Sequence, residues 1–399
     1  MSLNLRQAMT VSVPSIDSAK DALSSRIQEI ASASKDFSYK SPESFSAFIF
    51  DEKILEEIKD IVAKKTQNGL PKVVFVVGIG GANLASKAVY DAILGHGEAV
   101  YDLPRKMVFL DALDVGVTEP VLLLVNTIKS IDDFVIVIVS KSGETLEVMA
   151  NAEFLTYHLE QKFKNVSDRV VVVSREGSPL WNESSEKNIE RISLPENLSD
   201  RFSAFSPTTL VPLALYGFLI DEFLSGARDA FDSALGVDGI SFQNAVAIDE
   251  HYANGMNIYD LFFFTPRLET LGKWQKQIVA ESLGKDETLD KESDEEEDRL
   301  GLVPVVSIGS TDLHSSLQLV LAGPRNRVTT FVSVEGGEGE EMGDGETLDV
   351  IEKSISKKSV GELNQTLLAS AQESYFKNNL PFADIVLPDV TLRILGEYM

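Results

Sequence analysis

The segment at residues 140–145, SKSGET, offers side chains that bind a phosphate group. The hydroxyls of Ser140, Ser142 and Thr145 can donate hydrogen bonds, and Lys141 adds a positive charge. The segment follows an apolar run of strand length and precedes a long helical pattern, and the N–H groups at a helix start attract anions. Ser142 alone would serve as an ordinary N-cap, but a cap needs neither three hydroxyls nor a lysine. We therefore predict a phosphate-binding loop.

A glycine-rich turn at residues 78–81, GIGG, also separates an apolar run from a helical pattern. Gly80 and Gly81 would let the backbone approach a ligand beside the N–H groups of a helix start. A dinucleotide site would have a glycine where Asn83 stands, and no acidic residue is evident at the end of a following strand. A nicotinamide cofactor is therefore not indicated, and the turn alone fits a ligand-free βα connection equally well.

Apolar runs of strand length alternate with helical patterns, and these elements must position the two loops. In the first half, strands are predicted at residues 73–77, 134–139 and 169–173. The second half repeats this plan more loosely, with strands predicted at residues 259–264, 303–307 and 328–334 and helices at residues 268–283 and 312–322. Strands that alternate with helices in this way are typical of parallel sheets built from βαβ units.

The fold class that follows is α/β, with two doubly wound domains whose parallel sheets are flanked by helices. A polar, Ser- and Ala-rich stretch before residue 45 predicts a helical lead-in. An apolar helix predicted at residues 208–224 precedes the boundary between the domains. We therefore predict domains at residues 1–235 and 236–399, the first of which binds the phosphate.

The composition of the 399 residues excludes several classes of protein. Lys and Arg number 36 and Asp and Glu number 62, which gives a net charge of −26. This charge argues against binding to nucleic acids or to anionic membranes. The absence of cysteine rules out disulfides, thiolate metal sites and cysteine nucleophiles. The longest apolar-rich run, at residues 210–220, is shorter than the roughly 18 residues that span a bilayer. We expect a soluble, cytoplasmic protein.

Two acidic runs, at residues 286–298 and 335–352, hold much of the excess negative charge. Such dense like charge is typical of solvated surface segments. Neither run has the D-x-D-x-D-G spacing of a calcium loop, so no metal site is predicted.

The GIGG and SKSGET loops together resemble the sugar-isomerase domain family, in which the Ser- and Thr-rich loop holds the phosphate of a phosphosugar. Three further segments narrow the resemblance: LSDRFS at residues 198–203, LGKWQKQIVAESLGK at 271–285 and STDLHSSLQL at 310–319. In this order and spacing, they resemble the glucose-6-phosphate isomerase family (the phosphoglucose isomerase family). The resemblance extends from about residue 73 to residue 334.

This resemblance implies an aldose–ketose isomerase that interconverts glucose 6-phosphate and fructose 6-phosphate through a cis-enediolate, without a metal or an organic cofactor. Such a reaction needs a carboxylate base over the C–H bond and donors that face the developing oxyanion. The resemblance assigns the base to Glu281 and the electrostatic stabiliser to Arg201. Gln277 lies one helical turn before Glu281 and would share its face. Gly80 and Gly81 join the predicted phosphosugar-binding residues.

The resemblance also assigns a role to His314, one of four histidines in the chain. In the family, the matching histidine assists ring opening and reaches the site of the neighbouring subunit, which implies a homodimer. An imidazole titrates near neutral pH and suits proton transfer to the ring oxygen.

The chain departs from the family pattern at three places. Ala82 stands where a serine is frequent, and Ser199 and Asp200 stand where two glycines usually precede the arginine. The family continues past the position of Tyr398 with a segment that carries a catalytic lysine, so we expect the second domain to be truncated. An alternative function is therefore a phosphosugar-binding protein of the same fold with little or no isomerase activity.

Overall fold

The structure is a computed structural model. It describes residues 3–7, 13–95, 103–236, 239–286, 299–336, 341–343, 355 and 357–399. The described part divides into two compact units. The first unit comprises Leu23–Ala230, Leu395–Glu397 and Met399, and the second comprises Met1–Ala22, Phe231–Ile394 and Tyr398. The domain limits at residues 235 and 236 stay a prediction. The acidic runs lie largely outside the described residues.

The first unit is built on a parallel sheet of five strands, in the order β3-β2-β4-β5-β6. Its strands are β2 (Val73–Val77), β3 (Lys106–Leu110), β4 (Phe134–Val139), β5 (Val170–Arg175) and β6 (Glu190–Leu194). Every residue of β2 and β4 is buried, as continuous β-branched runs require when helices cover both faces. The chain reverses its direction of travel across the sheet between β2 and β4. Open α/β sheets bind ligands at the carboxyl ends of the strands at such a point.

Helices cover the first sheet, and several of them begin at a side chain that caps the first N–H groups. The helices are α2 (Glu52–Lys65), α3 (Leu84–Leu94), α4 (Val115–Thr127), α5 (Leu146–Glu160), α6 (Pro179–Glu186), α7 (Pro207–Tyr216) and α8 (Ile220–Ala234), which continues into the second unit. The Asp51 carboxylate accepts hydrogen bonds from the first N–H groups of α2, and Ser178 caps α6 in the same way. Helix α7 is apolar and buried on almost every side, as expected for a helix packed within a core.

The second unit is built on a five-stranded sheet in the order β1-β12-β11-β7-β10. Its strands are β1 (Asn4–Gln7), β7 (Ile258–Phe263), β10 (Val303–Ile308), β11 (Arg327–Val334) and β12 (Phe382–Leu387). All pairings are parallel except β1 with β12. A short antiparallel pair, β8 (Lys285–Asp286) and β9 (Arg299–Leu300), lies outside this sheet. The predicted α/β class with parallel sheets flanked by helices is confirmed.

The helices of the second unit complete the fold. They are α9 (Ile240–Ala253), α10 (Glu269–Leu283), α11 (Leu317–Ala322) and α12 (Val360–Lys377), and α13 (Leu392–Tyr398) spans both units. Helix α1 (Val13–Ala33) is the predicted helical lead-in, but the sequence analysis did not identify β1 before it. None of the described helices is long and apolar enough to cross a membrane.

One predicted helix of the second unit is shorter than expected. Residues 312–322 form a single turn of 3₁₀ helix at Thr311–Leu313 and then α11. The hydroxyl of Ser316 donates a hydrogen bond to the carbonyl of Asp312 at 3.1 Å, and that of Ser315 donates to the Asp312 carboxylate at 2.6 Å. The backbone N–H of Ser316 donates to the same Asp312 carbonyl at 3.1 Å, so one helical hydrogen bond persists between the two segments.

Candidate active site

The hydroxyls of the SKSGET loop converge at the carboxyl end of β4. The Oγ of Ser140, which is buried, lies 3.0 Å from Oγ1 of Thr145 and 3.5 Å from Oγ of Ser142. The N-cap residue of α5 is Thr145, and its side chain makes no cap hydrogen bond. The ordinary-cap interpretation of Ser142 therefore does not describe this helix start. Three hydroxyls and the first N–H groups of α5 lie together, as a phosphate-binding loop requires.

Gly143 allows the sharp turn that brings these hydroxyls together. Its φ angle of +70° lies in the left-handed region, where residues with a Cβ are strained. A Cβ at this position would also lie 2.8 Å from Oγ of Ser178 and 2.9 Å from the backbone N of Leu180. The Gly143 N–H donates a hydrogen bond to Oγ of Ser140 at 3.1 Å. A substitution here would therefore distort the loop and displace α6.

Lys141 joins the loop to a second segment of the first unit. Its ammonium group donates a hydrogen bond to the carbonyl of Leu198 at 2.6 Å. Its own carbonyl accepts a hydrogen bond from the N–H of Arg175, at the end of β5, at 3.3 Å. Lys141 therefore fixes the position of the chain just before Arg201.

Arg201 lies in a turn of 3₁₀ helix, Asp200–Phe202, that contacts the GIGG turn. A Cβ on Gly81 would overlap the backbone carbonyl of Asp200, so only glycine allows this close approach. The hydroxyl of Ser203 donates to the carbonyl of Gly81 at 2.8 Å. The turn thus reaches Gly81 even though Asp200 stands where the family usually has a glycine. Arg201 follows Asp200 directly and is half-buried.

A cavity of about 410 Å³ lies over the carboxyl ends of β2 and β4. Its lining comprises Ile79, Ala82, Val139, Ser140, Lys141, Ser142, Thr145, Val148, Arg175 and Asp200. Four of the predicted phosphate-binding residues are among them. Gly80 and Gly81 stand beside the lining in the turn between Ile79 and Ala82, where Gly80 has a φ angle of +58°.

The sequence analysis missed Arg175 and the cavity-lining position of Asp200. Arg175 is the last residue of β5, which pairs with β4 in parallel. Since the carboxyl ends of parallel strands meet at one edge, the rule that identified residues 140–145 also applies to this arginine. The position of Asp200 depends on the contact of its loop with Gly81, which residue types alone do not indicate.

In the second unit, Gln277 and Glu281 lie on one face of α10. The Gln277 amide donates a hydrogen bond from Nε2 to Oε1 of Glu281 at 2.8 Å. The Oε1 atom of Gln277 is buried and makes no hydrogen bond in the described structure. Glu281 itself is exposed in the last turn, whereas Leu271 and Trp274, in the first half of the helix, are buried. The arrangement holds one carboxylate at a fixed position on a rigid helix.

His314 follows the 3₁₀ turn Thr311–Leu313 and is exposed. Ser310 precedes this turn, but its side chain makes no cap hydrogen bond. Instead, the Asp312 carboxylate accepts a hydrogen bond from the N–H of Ile308 at 2.7 Å, which fastens the turn to the end of β10. The histidine therefore projects from a short turn anchored to a strand.

Within the described residues, no group of three or more His, Cys, Asp and Glu side chains is arranged to hold a metal ion. The predicted site residues thus form two sets. Those of the first unit surround or adjoin the cavity, and those of the second unit lie on α10 and after the 3₁₀ turn.

Comparisons of the sequence with known proteins identify the family of this chain, and a comparison of structures identifies its fold. Residues 53–344 match the family model described as phosphoglucose isomerase. A probable glucose-6-phosphate isomerase of Methanococcus maripaludis is 28% identical over 328 residues, which cover 81% of this chain and 70% of the relative. The glucose-6-phosphate isomerase of Methanocaldococcus jannaschii is 28% identical over 338 residues, which cover 84% of this chain and 77% of the relative.

A crystal structure of a glucose-6-phosphate isomerase from Chlamydia trachomatis superposes on this chain with a TM-score of 0.78. The match covers 100% of this chain and 81% of that one, at 19% sequence identity. At this level of identity, the likeness shows the fold.

Proposed function

Because the chain belongs to the phosphoglucose isomerase family, and is thus an isomerase, we propose that it interconverts glucose 6-phosphate and fructose 6-phosphate. The observation that carries this proposal is the phosphate-binding loop at the reversal point of the first sheet. Three hydroxyls, a lysine and an uncapped helix start line one cavity there. A cavity of this size and polarity suits the phosphate end of a small sugar.

In this proposal, the loop binds the substrate phosphate and thereby orients the sugar carbons. Ser140, Ser142 and Thr145 donate hydrogen bonds to the phosphate oxygens, and the N–H groups of α5 add favourable partial charge. Fixing the phosphate converts the later proton transfer into a step within one complex, which lowers its entropic barrier.

Glu281 acts as the base that moves a proton between C2 and C1. It takes the proton from C2 of the open-chain aldose, the C–H electron pair forms the C1–C2 double bond, and the carbonyl electrons move to oxygen. The proton of the C2 hydroxyl moves to the oxygen on C1, and the cis-enediolate then takes a proton at C1 while the electrons of the C2 oxygen form the carbonyl. The hydrogen bond from Gln277 supports this role because it orients the Glu281 carboxylate.

Arg201 stabilises the negative charge of the enediolate, and His314 assists ring opening. A guanidinium stays charged at all physiological pH values and presents forked donors to an oxyanion. His314, exposed on its turn, serves the site of the neighbouring subunit in a cytoplasmic homodimer. No metal or organic cofactor takes part in this scheme.

The substitution Glu281→Gln tests the base assignment. Turnover of fructose 6-phosphate, followed through a coupled assay for glucose 6-phosphate, is expected to fall about 10²- to 10⁴-fold, because the amide cannot accept the proton. Glu269→Gln is the matched control, since Glu269 lies in the first turn of the same helix and pairs with Lys273 on the surface. Full activity of Glu281→Gln would refute the assignment.

A phosphosugar-binding protein with little or no turnover is the second candidate. Asp200 favours it, because a carboxylate that lines the cavity opposes an anionic ligand, and Ala82 offers no hydroxyl. This candidate predicts that fructose 6-phosphate stabilises the fold by about 2.7 kcal/mol at a hundredfold excess over its Kd, without product. Turnover by the unmodified chain excludes it.

A further inference from the structure

Arg175 occupies a position at the cavity that a phosphate ligand would use. It is the last residue of β5, and its backbone N–H donates to the carbonyl of Lys141 at 3.3 Å. Its side chain is about 41% exposed and contributes to the same cavity lining as Ser140, Ser142 and Thr145. The arginine thus stands on a rigid strand directly beside the proposed phosphate-binding loop.

Arg175 would add positive charge to a cavity whose other charged groups are poorly placed to bind a phosphate. Lys141 directs its ammonium group to the carbonyl of Leu198, and Asp200 brings a negative charge to the lining. A sugar phosphate carries up to two negative charges. An arginine offers two parallel donors to phosphate oxygens and keeps its charge, which a tethered lysine does not match.

Glu196 is the group that a phosphate would replace. It accepts a hydrogen bond from Nη1 of Arg175 at 3.1 Å, and its side chain is 76% exposed. An ion pair this exposed is weak, because water screens both charges. A phosphate that is also bound by three hydroxyls and a helix start therefore competes successfully for the guanidinium.

We propose that Arg175 binds the substrate phosphate and determines the preference for phosphorylated sugars, and that Glu196 competes with the phosphate for the same guanidinium. The inference rests on the proposed function, since it names how that site recognises its anion. It predicts opposite effects for the two members of the ion pair, whereas a purely structural pair predicts the same effect for both.

Four variants test this inference: Arg175→Gln, Arg175→Lys, Glu196→Gln and the control Lys187→Gln. The measurements are KM and kcat for fructose 6-phosphate and the inhibition constant Ki of inorganic phosphate. Arg175→Gln is expected to raise both KM and Ki by about tenfold to a hundredfold, because a charged hydrogen bond is lost. Its kcat is expected to stay within about threefold, since the three hydroxyls and the N–H groups of α5 still fix the bound phosphate.

The other variants sharpen the assignment. Arg175→Lys restores part of the loss, because it keeps the charge without the fork. Glu196→Gln lowers Ki by about two- to fivefold, as expected when a weak competitor is removed. Lys187→Gln leaves all constants unchanged, because Lys187 pairs with Glu183 on the exposed side of α6.

Two results would overturn the inference. One is a Ki for inorganic phosphate in Arg175→Gln within twofold of the unmodified chain. The other is a weaker affinity in Glu196→Gln that matches the loss in Arg175→Gln, which would show that the pair only supports the loop.

Titration calorimetry with inorganic phosphate separates this inference from the proposed isomerase activity. If turnover is absent but phosphate binding depends on Arg175, the isomerase proposal fails and the inference stands. If the unmodified chain turns over fructose 6-phosphate but Arg175→Gln binds phosphate equally well, only the inference fails.

Discussion

The two sheets keep their polar side chains in different places. In the first unit, β2 and β4 contain only apolar residues, and the polar groups begin where the strands end, at the GIGG and SKSGET loops. The second sheet buries polar side chains within its strands: Asp260, Ser307, Thr329, Thr330, Ser333 and Asp384. The two central strands of the first sheet therefore leave polar groups to the loops that follow them, whereas the second sheet uses polar side chains to hold its own strands together.

Asp260 is the centre of the polar interior in the second sheet. Its carboxylate accepts hydrogen bonds from Nη1 of Arg327 at 2.7 Å and from the Ser307 hydroxyl at 2.8 Å. Burial raises the pKa of Asp260, and the neighbouring Arg327 and Ser307 oppose that increase. A buried pair of this kind tolerates the loss of one member poorly, so the second unit should be the more sensitive to single polar substitutions.

The largest expected effect comes from Arg327→Met. It leaves the Asp260 carboxylate buried without its cation, and we expect the free energy of unfolding of the second unit to fall by about 3–5 kcal/mol. Denaturant unfolding followed by the fluorescence of Trp274, in a Trp181→Phe background, reports on the second unit alone.

The double variant Asp260→Leu/Arg327→Met is the matched control for this prediction. It removes both charges, and we expect it to recover most of the lost stability, because an apolar pair of similar volume avoids the desolvation penalty. A loss below about 1 kcal/mol in the single variant would contradict the proposed contrast between the sheets.

A smaller effect is expected from Val137→Thr in the first sheet. Val137 is fully buried in the middle of β4, and the new hydroxyl would lie among apolar side chains. We expect a loss of about 1–3 kcal/mol, measured by the fluorescence of Trp181 in a Trp274→Phe background. Leu123→Thr is the control, because Leu123 is exposed, and its effect should stay within about 0.5 kcal/mol. If Val137→Thr and Leu123→Thr lowered the stability equally, the interior of the first sheet would tolerate a buried hydroxyl, contrary to the proposed contrast.

An effect of a different kind, dependent on pH, concerns Lys65, at the end of the first unit opposite the loops. Its ammonium group donates to the carbonyl of Asp168 at 2.7 Å, and burial lowers its pKa from 10.5 to about 8. Between these two values the unfolded chain binds more protons than the folded chain, so stability rises with pH across that window.

Urea unfolding at several pH values between 8 and 10.5 tests this sign. In Lys65→Met, the free energy of unfolding should increase less with pH, because the contribution of Lys65 is lost. Lys187→Gln changes a surface residue and should leave the pH dependence unaltered. An identical pH dependence in Lys65→Met and the unmodified chain would show that this lysine does not titrate differently on folding.

The contrast between the sheets also explains which elements the sequence predicts. Strands β2, β4 and β5 were predicted because burial on both faces demands continuous apolar runs. Strand β1 has the polar sequence NLRQ and was missed, since its conformation follows from antiparallel pairing with β12 rather than from any pattern of its own.

The candidate site also has features that the sequence predicts and features that depend on tertiary contacts. The donors at residues 140–145 are local in sequence, so their types and spacing predict a phosphate-binding loop. The bond between Lys141 and Leu198 joins residues 57 positions apart, and the approach of Asp200 to Gly81 depends on a loop contact. These contacts arise from the tertiary fold, and for that reason the sequence did not indicate the cavity-lining position of Asp200. Arg175 is different, because it ends a strand parallel to β4 and the rule for strand ends would have found it.

The central claim is that Glu281 transfers the proton of an aldose–ketose isomerisation. Its most direct test is the conversion of fructose 6-phosphate in deuterium oxide, with the product examined by proton NMR. We expect glucose 6-phosphate that carries deuterium at C2, and we expect Glu281→Gln to slow both product formation and exchange by about 10²- to 10⁴-fold. Product that forms at the full rate in Glu281→Gln, with the same deuterium content at C2, would contradict this claim.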